Sequence, residues 1–329
     1  MILGFIGTGK IASSVITGIC KSNLKFKKII ISPRNKQIAK SLKKKFKKIV
    51  IAKDNQQIVD QSNWVFLSIT PTVGEKIIKD LKFKSSQTII SFISTITLSQ
   101  LKKAIKVKAK IVRAIPLPPI SLKKGPVPIC PPNSKVKAFF NHLGTTVEIK
   151  NEKFSINFWS TSGMMAPFYE MQRVMSDWLV KKGLKRNNAQ KYITSLFLAL
   201  SEDAVINSKV KAFFNHLGTT VEIKNEKSSI NFWSTSGMMA PFYEMQRVMS
   251  DWLVKKGVKR NNAQKYITSL FLALSEDAVI HSKENLKELV KESQTPKGLN
   301  EQGVNELTKA GFYKSLEKTL NSIYKRLDK

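Results

Sequence analysis

Acidic residues are scarce in this sequence: 23 Asp and Glu stand against 56 Lys and Arg, a formal net charge of +33. Cysteine is scarcer. Cys20 and Cys130 alone cannot build a disulfide framework or a zinc ribbon, and such a chain is expected in a reducing compartment. Three histidines, two of them copies of one position, offer no metal-ligand spacing, so no metal is expected. No apolar run nears the roughly 20 residues that span a bilayer. Nothing basic precedes the apolar start Met1-Ile2-Leu3-Gly4, so neither a membrane segment nor a secretory leader is expected, and the chain is read as cytoplasmic. Arginine is also short, 7 of the 56 basic residues. Lysine mixed with isoleucine and asparagine is what an AT-rich coding sequence gives without selection for a partner. The lysine runs at 42–48 and 102–108 keep apolar residues spaced for burial and lack a row of stacking aromatics. They read as solvated faces of ordinary elements rather than a nucleic-acid groove. What remains is ample for folding: 42% apolar residues in 329 positions allow a substantial core, and the length suggests two domains at about 150 residues each.

The sequence repeats itself. Residues 133–206 return 74 positions later as 207–280, differing only at Phe154 against Ser228 and Leu184 against Val258. Structural repeats diverge until little but core positions agree, so near-identity that includes exposed lysines marks a recent tandem duplication or an error in assembling the sequence. One copy removed leaves 255 residues. Asn133-Ser134-Lys135, Asn207-Ser208-Lys209 and His281-Ser282-Lys283 mark its breakpoints.

Up to about residue 150, short β-branched runs alternate with amphipathic helical patterns. The strand candidates are 2–6, 28–31, 49–51, 64–69, 88–93 and 110–115. Continuous apolar strands alternating with helices predict a parallel sheet covered on both faces. The proline-rich stretch from Pro116 to Pro132 reads as an interruption of regular structure, followed by a helix at 135–142 and a strand at 145–149. Beyond that, long helical patterns take over at 166–182 and 187–206, with copies at 240–256 and 261–280, and three further helices close the chain. The expected division is 1–150 as a nucleotide-binding domain, 151–224 as a duplicated segment, and 225–329 as an all-helical domain. The second copy, continuous with the final helices, is expected to supply the functional pair, with 151–224 an inserted excursion. Helices as apolar as 266–274 need cover on several sides, which another subunit would give.

Gly7-Thr8-Gly9-Lys10-Ile11-Ala12 follows the first strand and opens the first helix. This is the dinucleotide fingerprint in its required context: Gly7 for the tight turn, Gly9 for close approach of a pyrophosphate, Ala12 for helix–sheet packing. The fold class is therefore an α/β Rossmann-type domain followed by an all-α domain. NAD-binding chains usually end the second strand on Asp or Glu, whereas here it runs into Ser32-Pro33-Arg34-Asn35. Ser32 and Arg34 suit a 2′-phosphate, so NADP(H) is the expected cofactor, with NAD(H) as the alternative.

With these features the chain resembles the pyrroline-5-carboxylate reductase family over essentially the whole 255-residue ancestor. The resemblance implies a cytoplasmic, homo-oligomeric NADPH-dependent reductase of a cyclic imine, dimerising through its C-terminal helices. It implies cofactor contacts at Gly7, Thr8, Gly9, Lys10, Ile11, Ser32, Arg34, Asn55, Ser68, Thr70 and Pro71. The family's Ser-Gly-Ser-Gly-Pro-Ala motif corresponds to Thr235-Ser236-Gly237-Met238-Met239-Ala240, and its Ser-Pro-Gly-Gly-Thr-Thr loop to Thr295-Pro296-Lys297-Gly298-Leu299-Asn300. Asn300 then takes the catalytic place of the threonine that bonds the ring nitrogen, and Thr295, Lys297, Gly298 and Leu299 line the substrate. Two other readings stay open. One is an NADP-dependent reductase of the same architecture acting on a different imine or a β-hydroxyacid. The other is a catalytically impaired NADP-binding protein.

Overall fold

The computed structural model describes residues 1–206, 229–282 and 285–328. The second copy's helix–strand repeat, residues 207–223, lies outside them. The chain divides into two compact units, Met1–Ser155 and Ile156–Lys329.

The first unit is built from β1 (Ile2–Ile6), α1 (Lys10–Lys21), β2 (Lys28–Ile31), α2 (Lys36–Lys45), β3 (Ile49–Ile51), α3 (Asn55–Gln61) and β4 (Trp64–Leu67). It continues with α4 (Pro71–Asp80), β5 (Thr88–Ser91), α5 (Leu98–Ile105), β6 (Lys110–Ala114), β7 (Pro126–Cys130), α6 (Ser134–Asn141) and β8 (Thr145–Glu148). The sheet order is β3-β2-β1-β4-β5-β6-β7-β8. Alternate strand residues enter two cores. Ile29, Ile31, Phe66, Ile90 and Val112 pack with Val15, Ile16 and Ile19 of α1 and Phe139 and Phe140 of α6. Ile30, Val65, Leu67, Ile89 and Ile111 pack with Ile58 of α3, Ile78 of α4 and Leu101 of α5. Both faces are covered, which is why the strands are apolar throughout rather than alternating.

The proline-rich stretch departs from expectation. Residues Pro126–Cys130 form a fully buried strand, antiparallel to β6 and parallel to β8. Two prolines fit because the carbonyls still serve both neighbours: Pro128 O accepts from Ile115 N, while Gly125 O and Ile129 O accept from Thr145 N and Ile149 N. The β6 side, where the prolines fall, has a ladder of only two paired residues, Arg113↔Cys130 and Ala114↔Ile129, so few donors are missed. On β6, buried Arg113 pairs with Glu152 and donates to Ser94 O, and Glu152 also accepts from Leu98 N at the start of α5. The ion pair locks the end of the sheet to the segment that leaves it, and a buried guanidinium without that carboxylate would be costly.

The second unit is helical: α7 (Ser155–Ser162), α8 (Met165–Lys181), α9 (Arg186–Ile206), α10 (Ser229–Ser236), α11 (Met239–Lys255), α12 (Arg260–Ile280), α13 (Leu286–Glu292), α14 (Leu299–Lys309) and α15 (Phe312–Leu327). The short helices α7 and α10 were not foreseen, since eight residues carry little periodicity. Nor is the first copy an excursion. Helices α8 and α9 pack against one another, α9 packs along α12, and α13, α14 and α15 all lie on α8. Leu270, Phe271, Ala273 and Leu274 of α12 are fully buried, covered within the one chain. No helix among the described residues is long and apolar enough to cross a membrane.

Candidate functional site

In the first unit, every expected nucleotide contact lies at or just beyond the C-terminal ends of β1 to β4. Those ends are aligned by the registers Phe5↔Ile31, Ile31↔Ile51 and Ile6↔Leu67. The crevice falls between β1 and β4, where strand order reverses, the usual place for a ligand in an open α/β sheet. Gly7 has φ +98°, and a Cβ there would stand 2.2 Å from Ser68 O, so the turn accepts no side chain. Gly9 is the opposite case. It precedes α1, and a Cβ on it would have no neighbour within 4 Å. Its constraint is thus not internal packing but space left for something else, at a helix N-terminus whose N–H groups favour phosphate.

Thr8 is buried and its hydroxyl donates to Ser32 O (3.3 Å), tying the turn to the end of β2. Ser32 is buried, and Arg34 is exposed on the turn that leads to Asn35, whose side chain caps α2 by accepting from Ile38 N. Asp54, the acid after β3, is taken up capping α3 through Gln57 N (2.8 Å). Beside it Asn55 keeps a buried Oδ1 that has no hydrogen-bond partner. Lys10 and Thr70 are exposed, Ile11 and Ser68 half-buried, and Pro71 opens α4 with Thr70 as its N-cap. A dinucleotide fits these groups: an open glycine, a helix N-terminus, an orphaned amide oxygen, and no carboxylate at the end of β2.

In the second unit, the residues expected at the substrate come together at the meeting of two helix N-termini. Gly298 is the N-cap of α14, with its N–H on Thr295 O (2.8 Å). Lys297 has φ +60° and gives its N–H to Glu301 Oε2 (2.6 Å). Asn300 Oδ1 accepts from Ala166 N (2.9 Å) in the first turn of α8. The approach is close because two glycines face each other: a Cβ at Gly303 would stand 2.8 Å from Gly163 O. Thr295, Lys297 and Leu299 are exposed, and Asn300 is half-buried.

A family profile described as NADP oxidoreductase, coenzyme F420-dependent, matches residues 2–95. A second, described as pyrroline-5-carboxylate reductase dimerisation, matches residues 231–329. Residues 231–329 thus belong to the pyrroline-5-carboxylate reductase dimerisation family and residues 2–95 to an NADP oxidoreductase family. The chain is an oxidoreductase by that membership, and the Rossmann-type unit followed by a helical dimerisation unit is the fold expected from the sequence. Among solved structures, the 1-pyrroline-5-carboxylate reductase of Streptococcus pyogenes is similar at 22% identity and a TM-score of 0.56, over 80% of this chain and 98% of its own. Pyrroline carboxylate reductase of Plasmodium falciparum, with NADP bound, matches at 16% identity and a TM-score of 0.42, over 99% and 96% of the two chains. No curated protein matches the chain.

The helix beneath the loop expected at the substrate is a surprise. The loop sits on the first copy, at Gly163 and Ala166, not on Gly237 and Ala240 of the second copy. No signal could have told them apart, because the two copies are identical across this motif. Lys181 and Lys182 stand at the C-terminal end of α8, opposite the end that meets the loop. Lys181 pairs with Glu317 (2.6 Å), and Lys182 lies 3.8 Å above the Tyr324 ring.

Proposed function

We propose that this protein is an NADPH-dependent reductase of a carboxylated cyclic imine, taking 1-pyrroline-5-carboxylate to proline. The observation that carries the reading is Asn300, fixed at the junction of two helix N-termini. With Oδ1 held by Ala166 N, its Nδ2 is the group it offers a ligand, a donor suited to the nitrogen of a small ring. The adjoining N-termini of α8 and α14 favour the ring's carboxylate, and exposed Lys297 adds a cation beside them.

Bound at the glycine turn, a nicotinamide dinucleotide supplies a hydride from C4. The chain's own residues have the remaining tasks. The Gly7-Thr8-Gly9 turn and the start of α1 hold the pyrophosphate, with Thr8 keeping the turn on β2. Ser32 and Arg34 take a 2′-phosphate, and the lack of an acid there supports NADP(H) over NAD(H). Asn55 Oδ1 accepts from the dinucleotide, a role consistent with its buried and unpartnered state. The imine carbon accepts the hydride and the nitrogen takes a proton from solvent, so Asn300 positions rather than titrates.

The test is NADPH oxidation at 340 nm by the full-length chain with 1-pyrroline-5-carboxylate, with other cyclic imines in parallel. Turnover with this substrate above the others is expected. NADPH binding without turnover of any cyclic imine would make the protein a non-catalytic dinucleotide binder.

A further inference from the structure

The contacts between the two copies come in exchanged pairs. Tyr169 of the first copy donates to Asp277 of the second (2.7 Å), and Tyr243, the counterpart of Tyr169, donates to Asp203, the counterpart of Asp277 (2.8 Å). Tyr192 OH donates to Phe232 O (3.2 Å), and Tyr266 OH donates to Phe158 O (3.0 Å), again the same pair with the copies exchanged. Phe168 lies 5.1 Å from Phe271, and Phe242 lies 5.1 Å from Phe197. Equivalent residues meet each other where an axis of exchange must pass: Ser201 against Ser275 at 2.9 Å, and Phe168 against Phe242 at 6.0 Å. Residue i touching j while j's copy touches i's copy is the signature of a two-fold interface between identical subunits. Here both sides of it belong to one chain. Burial and the facing carboxylates raise the phenols of Tyr169 and Tyr243, the latter to about 12, so both remain donors across the ordinary pH range.

The exchange fails in one respect. The chain has a single α13–α15 segment: α13 and α14 lie on α8, while α15 packs both on α8 and on α10 of the second copy. Trp178 is 1% exposed, its indole N–H on Asn321 Oδ1 (2.9 Å) and its ring against Tyr324. Its counterpart Trp252 on α11 is 37% exposed, with Met239 and Val248 of the same helix also exposed. A pocket of about 210 Å³ opens on the α11 side, at Gln246 and Arg247. The segment that follows the second copy thus crosses to cover α8 of the first and leaves α11 without an equivalent cover.

We propose that the duplication has brought the family's dimer contact inside one chain, so that the second copy replaces a partner subunit. The protein is then a monomer with a single substrate loop site, at α8, and a second, incomplete counterpart at α11. This rests on the helical unit alone and does not depend on the substrate assigned above.

The experiment replaces the residues at the axis. In full-length protein carrying Cys20→Ser, Ser201→Cys with Ser275→Cys is oxidised and run on a denaturing gel without reductant, beside Ser201→Cys alone. The double variant is expected to cross-link within one chain, running at the single-chain mass with its engineered thiols consumed. The single variant is expected not to cross-link. Covalent pairs of chains from either variant overturn the proposal. Sedimentation gives a second readout that needs no cysteine. The natural chain is expected at the mass of one chain, and the chain lacking residues 133–206 as a dimer, because one remaining copy must find its match in another molecule. A full-length dimer beside a monomeric shortened form refutes internal pairing.

Discussion

Replacing Trp178 by alanine takes away a side chain that is enclosed on all sides: the indole N–H bond to Asn321, the edge contact with Tyr324 at 6.0 Å, and the Lys182 ammonium 5.5 Å from the ring centroid. Truncating a fully buried tryptophan costs about 3–5 kcal/mol, the transfer term plus the cavity left behind. The Asn321 amide is also stranded, so the upper part of that range is expected. Trp252→Ala is the matched control, since α11 and α8 have the same sequence. Trp252 is already one-third open to solvent, so its removal encloses no cavity and leaves no partner amide stranded. About 1–2 kcal/mol is expected, and the gap between the two variants should be about 2 kcal/mol or more. Urea titrations followed by helical circular dichroism measure both, with the slopes compared to check that each variant unfolds over the same surface. Equal losses would mean that α13–α15 do not choose the first copy, and the asymmetry of the helical unit would be refuted.

Gly9→Ala should leave thermal stability nearly unchanged, because a Cβ meets nothing there, yet weaken dinucleotide binding about tenfold or more; titration calorimetry with NADPH decides, and undiminished binding removes the glycine turn from the site. Arg34→Asp should lower the preference for NADPH over NADH severalfold, read as the ratio of Michaelis constants, and an unchanged ratio would take the 2′-phosphate away from this turn. Asn300→Ala should reduce kcat with 1-pyrroline-5-carboxylate about tenfold while the NADPH Michaelis constant holds, whereas full activity would leave Asn300 as a cap for α8 alone. Burial raises the Cys20 thiol to about 11 against the opposing pull of Lys48. The neutral thiol is therefore favoured in the fold. Its contribution to stability is complete below pH 9 and is lost as pH rises toward 11, and labelling by a disulfide reagent at pH 8 should run tenfold or more slower than for unfolded protein. Equal labelling rates in folded and unfolded protein would place Cys20 in solvent.

The Rossmann-type half was legible because its signals are local. A glycine turn between a strand and a helix specifies its own geometry, and β-branched runs such as Lys28–Ile31 become strands wherever they have cover on both faces. The strand at Pro126–Cys130 was hidden because proline argues against a sheet. Only the tertiary placement, with carbonyls serving both neighbours, shows why it is tolerated. The choice of helix under the loop at 295–300 had no local signal at all. Gly163 and Gly237 sit in identical surroundings in sequence, and only the path taken by α13–α15 separates them. The apolar character of Leu270–Leu274 correctly called for cover on several sides. That the cover is the chain's own copy is a fact of packing, which a periodicity cannot carry.

An axis shared by two identical subunits restricts how a protein can change, because one altered codon alters both sides of the contact together. Ser201 and Ser275 are under no such rule. Each is encoded separately, so a large residue can arise on one side and a small one on the other, a combination that a symmetric pair can never sample. Phe154 against Ser228 and Leu184 against Val258 are the two places where the copies differ. The helix without its tail, α11, is freer still, and substitutions that would ruin α8 can collect there unnoticed. A dimer contact held inside one chain evolves as one between two linked, unequal partners.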